Sequence, residues 1–273
     1  MRFLILWLCC LSLSAFGAPV PAGDAELTAD LNGVSLKLFT YRPSQCAPKS
    51  FLLVFHGVSR NAQGYRDHAK PIADGLCAIA IAPYFDKAHF PGYKYQRGGL
   101  TSSDSKQWTG PVIEQLVAWL RTQEKQPDWP YSMIGHSGGG QFLSRFAAST
   151  PNHAQKIVLA NPGSYLFPSL DAHIPDGFGG MPDAEQALKR YLAAPLVLLL
   201  GDADIEQDAE LPKGYMQQGS NRHERGLNFY QAGQKIAAER HWDFSWRLLE
   251  VPGVAHNARK MFASPQALQA FRP

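Results

Sequence analysis

The sequence predicts an α/β fold in which a mostly parallel sheet of about eight strands carries helices on both faces and opens with an antiparallel hairpin. Three observations predict it. Short apolar runs of strand length alternate along the chain with stretches of helical spacing, the pattern of repeated strand-helix-strand units. Several of those runs are apolar without interruption, as expected of strands buried on both faces of a parallel sheet. Near the start, Asn32-Gly33 separates two segments of strand character and supplies the tight turn that joins antiparallel neighbours.

The elements follow in order. Segments 25–31 and 34–41 flank the Asn32-Gly33 turn, and 51–55 is the first continuous apolar run. Segment 78–82 is a second and 132–135 ends a third; 156–160, 195–200 and 246–251 complete the strands. Helical spacing recurs at 111–121, 141–148, 185–191 and 227–240. No repeat or low-complexity linker divides the chain, so a single domain over 18–273 is expected. With 273 residues, 45% of them apolar and 18% charged, it can bury a full core. Two long connections interrupt the alternation: 83–106, rich in Tyr, Phe and Gly, and 161–182, rich in Pro, Gly and aromatics. Both leave the carboxyl ends of strands, where ligands collect in open α/β sheets, and both are expected to line a site.

Residues 1–17 read as a signal peptide. Arg2 gives the positive start, 3–16 is an apolar run, and Ala15-Phe16-Gly17 offers small residues for cleavage after Gly17. The run is shorter than the ~20 residues of a transmembrane helix, and Pro19 and Pro21 follow it, so no membrane span is expected in the mature protein. Neither Cys9 nor Cys10 follows the small residue that lipoprotein processing needs. The expected location is therefore outside the cytoplasm, periplasmic or secreted. Cleavage leaves Cys46 and Cys77, which in an oxidising compartment read as one disulfide. Each precedes a predicted strand, and neighbouring parallel strands start on one edge of a sheet, so the pairing is geometrically sound. The formal net charge of +3 is small and scattered, which argues against nucleic-acid binding. The densest cationic cluster, Arg222, His223 and Arg225, reads as a structural ion-pair site. No Cys-x-x-Cys or Cys/His ligand pattern is present, and no metal or other cofactor is expected.

Gly135-His136-Ser137-Gly138-Gly139 has the form G-x-S-x-G, with a strand ending before it and a helical pattern beginning at Gln141. In that context the turn from strand to helix leaves no room for bulky neighbours. It holds the serine oxygen at the edge of the sheet beside the positive end of a helix, which favours developing negative charge. A serine hydroxyl is a weak nucleophile until a base removes its proton, so a histidine and an acid that orients it are required. His256, the last of nine histidines, follows the final strand in Pro252-Gly253-Val254-Ala255-His256. His241 ends a helical segment ahead of that strand and is set aside. The acid is expected after strand 195–200, where Gly201-Asp202-Ala203-Asp204 offers two carboxylates. Asp204 has the greater reach back over the sheet and is favoured over Asp202. Asp202, Asp204 and Asp208 have the look of a calcium loop, but Gln207 stands where such a loop needs glycine. The candidate oxyanion donors are the amide of Gly138 and that of Val58, in the turn His56-Gly57-Val58 after strand 51–55. The His56 side chain is read as buried and structural. Tyr84, Phe85, Tyr93, Tyr95, Tyr165 and Phe167, from the two long loops, are candidates to shape an acyl or alcohol pocket.

Taken together these residues resemble the α/β-hydrolase superfamily, in particular the bacterial exported esterase and polyhydroxyalkanoate-depolymerase-like proteins. The likeness runs from His56-Gly57-Val58-Ser59-Arg60-Asn61 through Gly135-His136-Ser137-Gly138-Gly139-Gly140-Gln141-Phe142. It continues in Asn161-Pro162-Gly163-Ser164-Tyr165, Leu200-Gly201-Asp202-Ala203-Asp204, Gln218-Gly219 with Arg222 and Arg225, and Val251-Pro252-Gly253-Val254-Ala255-His256. The resemblance implies an α/β-hydrolase fold and a hydrolase with Ser137, Asp204 and His256 as nucleophile, acid and base. It does not imply a substrate. Depolymerases that attack solid polymer usually carry an extra binding domain, and 161–194 is too short for a large lid, so a small or oligomeric ester is expected. The expected activity is carboxylic ester hydrolysis through an acyl-enzyme. Peptide or amide hydrolysis is the alternative within the same chemistry, and a noncatalytic ligand-binding protein on the same fold is the alternative outside it.

Overall fold

The structure, a computed structural model, describes residues 18–207 and 217–272. Eight strands form one sheet: β1 (Gly23–Leu31), β2 (Val34–Arg42), β3 (Phe51–Phe55), β4 (Ile79–Pro83), β5 (Tyr131–His136), β6 (Ile157–Ala160), β7 (Leu196–Gly201) and β8 (Arg247–Val251). Their lateral order is β1-β2-β4-β3-β5-β6-β7-β8. The β1–β2 hairpin closes through Asn32 at φ 52 and Gly33 at φ 91, the left-handed pair that a two-residue turn requires. β2 also runs antiparallel to β4, and the remaining pairings are parallel. From β3 the chain steps to β4 on one side and then returns to β5 on the other. The order therefore reverses between β3 and β5, and the crevice at their carboxyl ends is the switch point where ligands bind in such sheets.

Among the described residues seven α-helices cover the two faces: α1 (Ala62–Leu76), α2 (Gly110–Glu124), α3 (Gly138–Ser149), α4 (Ala184–Leu192), α5 (Arg222–Arg240), α6 (Ala258–Ala263) and α7 (Pro265–Gln269). β3 shows why its sequence is apolar throughout. Phe51, Leu53 and Phe55 pack into a core with Ile113, Leu116, Phe142 and Phe146, while Leu52 and Val54 pack into the opposite one with Ala69, Ile72 and Phe262. Alternate residues face alternate cores, and neither face meets water.

The predicted strands match the observed ones to within about two residues, the usual uncertainty of element ends. Helix α1 was not anticipated. Gly64, Pro71 and Gly75 break its pattern, yet Ala62, Tyr65, Ala69, Ile72 and Ala73 are buried at helical spacing and the Asn61 side chain caps the Gly64 amide at 3.0 Å. α5 starts at Arg222 rather than at 227, because Asn221 caps the Glu224 amide at 2.8 Å and begins the helix in a polar stretch. Cys46 and Cys77 form a disulfide that ties the segment before β3 to the end of α1, with Cα atoms 6.0 Å apart. Among the described residues no helix is long and apolar enough to cross a membrane.

Candidate active site

Ser137 lies between β5 and α3 with φ 56 and ψ −118, a conformation that strains any residue with a side chain. Its surroundings hold it there. The Ser137 amide donates to Ala160 O at 3.0 Å, and Ser137 O accepts from the Gln141 amide at 3.0 Å. The first turn of α3 presses directly on the ends of β3 and β5. A Cβ at Gly139 would stand 2.2 Å from Phe55 O, and one at Gly135 would stand 2.5 Å from the backbone of Gly139. Only glycine permits that approach, which is what raises the serine to the rim of the switch-point crevice.

The acid and base candidates come from the ends of β7 and β8. Asp204 is 1% exposed; its Oδ2 lies 2.7 Å from His256 Nδ1, and its Oδ1 lies 3.5 Å from an Nη of Arg222, the first residue of α5. Asp202 serves a different part of the same loop, its Oδ1 accepting from the Gly253 amide at 2.6 Å. In the cluster read as structural, Arg222 forms an ion pair with Asp204, and His223 Nε2 lies 2.7 Å from a carboxylate oxygen of Glu250. The His256 ring rests against that of His136, the residue before Ser137, with ring centres 4.5 Å apart. Asn161, at the end of β6, joins these loops: its Oδ1 accepts from the Gly201 amide at 2.7 Å and its Nδ2 donates to Ala255 O at 3.4 Å.

Two further histidines sit behind this surface. His136 is buried with Tyr65 Oη 3.1 Å from Nδ1 and with Nε2 unpartnered; burial first, and then the nearby His256, Arg222 and His68, hold its pKa well below the ordinary range. His56 donates from Nδ1 to Gly57 O at 2.9 Å and accepts from the Phe85 amide at Nε2 at 3.1 Å, and burial lowers its pKa to about 4. Both rings are neutral at pH 7, and His56 is the structural residue that its position suggested.

The two candidate oxyanion amides are close neighbours. A Cβ on Gly138 would stand 3.2 Å from Val58 N, and Gly138 opens α3, where the first amides have no partner within the helix. Beside them is a cavity of about 360 Å³ lined by Val58, Arg60, Lys87, Pro91, Gly92 and Gln96. None of the aromatic residues expected to shape a pocket is among those that line this cavity. Phe85, Tyr95 and Tyr165 are fully buried, Phe85 stacked on Tyr95 at 4.9 Å and Tyr165 on Phe229 at 4.3 Å. Phe167 packs edge-on against Phe229. Tyr84 and Tyr93 line a separate cavity of about 1010 Å³ against the β1–β2 hairpin, and none of Ser137, Asp204 and His256 borders it. Large aromatic surface gains most from burial: Phe85 and Tyr95 pack with Phe55 of β3 and Phe142 of α3, while Tyr165 and Phe167 pack on Phe229 of α5. Arg60, Lys87 and Gln96 were not singled out, since isolated polar residues in loops carry no periodic signal. Among the described residues no three His, Cys, Asp or Glu side chains are grouped to hold a metal ion; Asp208 lies outside them.

No protein-family model matches the chain. No curated protein matches it in sequence. Two solved structures are similar over most of both chains. Poly(aspartic acid) hydrolase-1 from Sphingomonas sp. KT-1 is 31% identical with a TM-score of 0.83, over 92% of this chain and 98% of that one. The LpqC poly(3-hydroxybutyrate) depolymerase from Bordetella parapertussis is 30% identical with a TM-score of 0.83, over 92% and 94%. FphF, a fluorophosphonate-binding serine hydrolase from Staphylococcus aureus, shares the fold at a TM-score of 0.55 and 14% identity, over 91% and 97%.

Proposed function

Because the chain belongs to the α/β-hydrolase superfamily, we propose that it is an exported serine hydrolase that cleaves a carboxylic ester through an acyl-enzyme on Ser137. The observation that supports this reading best is the pair formed by a buried Asp204 and His256 at 2.7 Å, with the His256 ring packed on that of His136, the residue before Ser137. In this mechanism Ser137 Oγ attacks the acyl carbon while His256 accepts its proton. Asp204 fixes the ring so that Nδ1–H donates to the carboxylate and Nε2 is left to act as base. The amides of Gly138 and Val58 stabilise the oxyanion, and its collapse breaks the bond to the leaving alcohol, which takes the proton from His256. Water then gives a proton to His256 as it attacks the acyl carbon, and collapse breaks the bond to Ser137 Oγ, which takes that proton back as the acid leaves.

Ester rather than amide is the first reading because an alkoxide leaves more readily than an amine, and a pocket without dedicated groups for an amine favours the easier bond. The amide reading keeps one specific support. Poly(aspartic acid) is joined by amides and poly(3-hydroxybutyrate) by esters, and the hydrolases named for them are almost equally similar to this chain. Export is supported by the leader-like 1–17 segment and by the Cys46–Cys77 disulfide, a bond that persists in oxidising compartments. The test is labelling by a fluorophosphonate probe together with turnover of a matched ester and anilide. The expected result is a labelled protein that cleaves the ester faster, with both signals lost in Ser137→Ala. A folded protein that resists the probe would overturn the reading, and a preference for the anilide would move it to an amidase.

A further inference from the structure

We infer that the cavity beside the elbow is a subsite for a carboxylate, so that the preferred ester carries an anionic group near its scissile carbonyl. This rests on the serine hydrolase reading and deepens it by naming a substrate class. The cavity touches the reaction centre: a Cβ on Gly138 would meet Val58 Cγ1 at 3.1 Å and Gln96 Cγ at 3.3 Å, and both residues line the cavity wall. Its lining holds two cations, Arg60 and Lys87, and no acid.

Arg60 is the unusual member. Its side chain is nearly buried, yet its hydrogen bonds go to neutral acceptors: Phe85 O and Phe90 O at 2.9 Å each and Gln96 Oε1 at 3.4 Å. The guanidinium lies over the Tyr95 ring at 4.4 Å, and its Nε is buried without a partner. Carbonyls and a ring face satisfy its donors but supply no net negative charge, whereas buried arginines are ordinarily neutralised by an ion pair. Asp86, the nearest acid in that loop, acts on Arg60 through space without forming an ion pair with it: its carboxylate accepts from the Ala88 and His89 amides, contacts the His89 ring, and lines the other cavity. A full positive charge in a low-dielectric wall projects its field into the cavity. Lys87 adds an exposed ammonium at the rim, and Gln96, with its oxygen turned to Arg60, has its amide nitrogen left to donate. Cation, cation and amide donor around one small space are the complement of a carboxylate.

The experiment compares paired esters of matched shape. One pair differs on the acyl side, p-nitrophenyl hexanoate against the p-nitrophenyl monoester of adipic acid; the other differs on the alcohol side, the butanoates of 1-butanol and of 4-hydroxybutanoic acid. The expected result is a kcat/KM ratio of about tenfold in favour of the anionic member of at least one pair, expressed in KM, from one close charge pair at a partly wet site. In Lys87→Glu, whose fold is checked by thermal melting, that ratio falls to one or below, and 1 M NaCl lowers it in the wild-type protein. Ratios at or below one in both pairs overturn the subsite while leaving the hydrolase reading intact. Binding provides an arm independent of turnover. In Ser137→Ala, calorimetry should show monomethyl adipate or 4-(butanoyloxy)butanoate binding about tenfold more tightly than its neutral counterpart, with the advantage lost in Ser137→Ala/Lys87→Glu. If no ester turns over but this difference remains, the subsite stands and the proposed reaction falls; equal affinities in both pairs overturn the subsite whatever the turnover.

Discussion

The elbow at 135–140 packs against the wall of a cavity that the loop at 84–109 helps to line, but the two are held by opposite means. The elbow is a matter of backbone. Its glycines let α3 touch the ends of β3 and β5, and its serine is fixed by main-chain bonds to Ala160 of β6 and Gln141 of α3. The loop is a matter of side chains. Phe85 and Tyr95 stack into the core, Tyr95 Oη donates to His56 O at 2.7 Å, and Arg60 grips two of the loop's carbonyls. A constraint written in backbone geometry appears in the sequence as a local motif. A constraint written in side-chain packing depends on partners far along the chain, and the same residues read locally as a pocket.

The largest effect tests the loops facing the elbow. Asp204→Asn should lower ester turnover by about 10⁴-fold, the scale seen when a triad acid is neutralised, whereas Asp202→Asn, which loses a bond to the Gly253 amide, should cost less than about tenfold. Steady-state kinetics of the two purified variants decides it, and the reverse ranking would hand the acid's role to Asp202. Next in size is the loop's own anchor. Phe85→Ala should lower unfolding free energy by about 3 to 5 kcal/mol, while Tyr93→Ala, at a site 49% exposed, should change it by no more than about 0.5 kcal/mol. Equal losses in urea titrations would dissolve the distinction between core and surface.

The smallest effect sharpens the comparison by titrating one histidine from each region, His136 at the elbow and His56 under the loop. Both have pKa values lowered by burial, so the unfolded chain binds protons that the native state refuses. Stability is then full above the unfolded value of ~6.5 and is lost as pH falls from there, until His56 itself protonates in the native state at about 4. For His56 alone the loss is of order 3 kcal/mol. Urea midpoints should therefore fall steadily from pH 7 to pH 4.5, and His56→Gln should flatten that slope even though it lowers stability at pH 7. An unchanged slope in the variant would remove His56 as its source.

How far the sequence could be read follows the same division. The strands were legible because two-sided burial demands unbroken apolar runs such as Leu196–Gly201. The elbow was legible because its glycines answer to a contact a few residues away, and the reach of Asp204 to His256 followed from the order of the loops at the sheet edge. Helix α1 was hidden by Pro71 and its glycines, although its buried residues keep helical spacing. The packing of the loop aromatics was not legible because nothing near Tyr165 in sequence announces that Phe229 will stack on it. Arg60 was passed over because its significance lies in which partners it lacks.

Asn161 gives the loops beyond β7 and β8 a property that no single distance conveys. Its amide holds Gly201 and Ala255 at once, while Asp202 N and Ala203 N donate across to Val251 O and Val254 O. Asp204 and His256 are thus mounted on one stitched platform. When the sheet flexes, the platform carries Asp204 and His256 together, so their separation rejects common-mode motion much as a balanced pair of wires rejects noise. The same strand end also holds the serine, since Ala160 O, one residue before Asn161, accepts from the Ser137 amide.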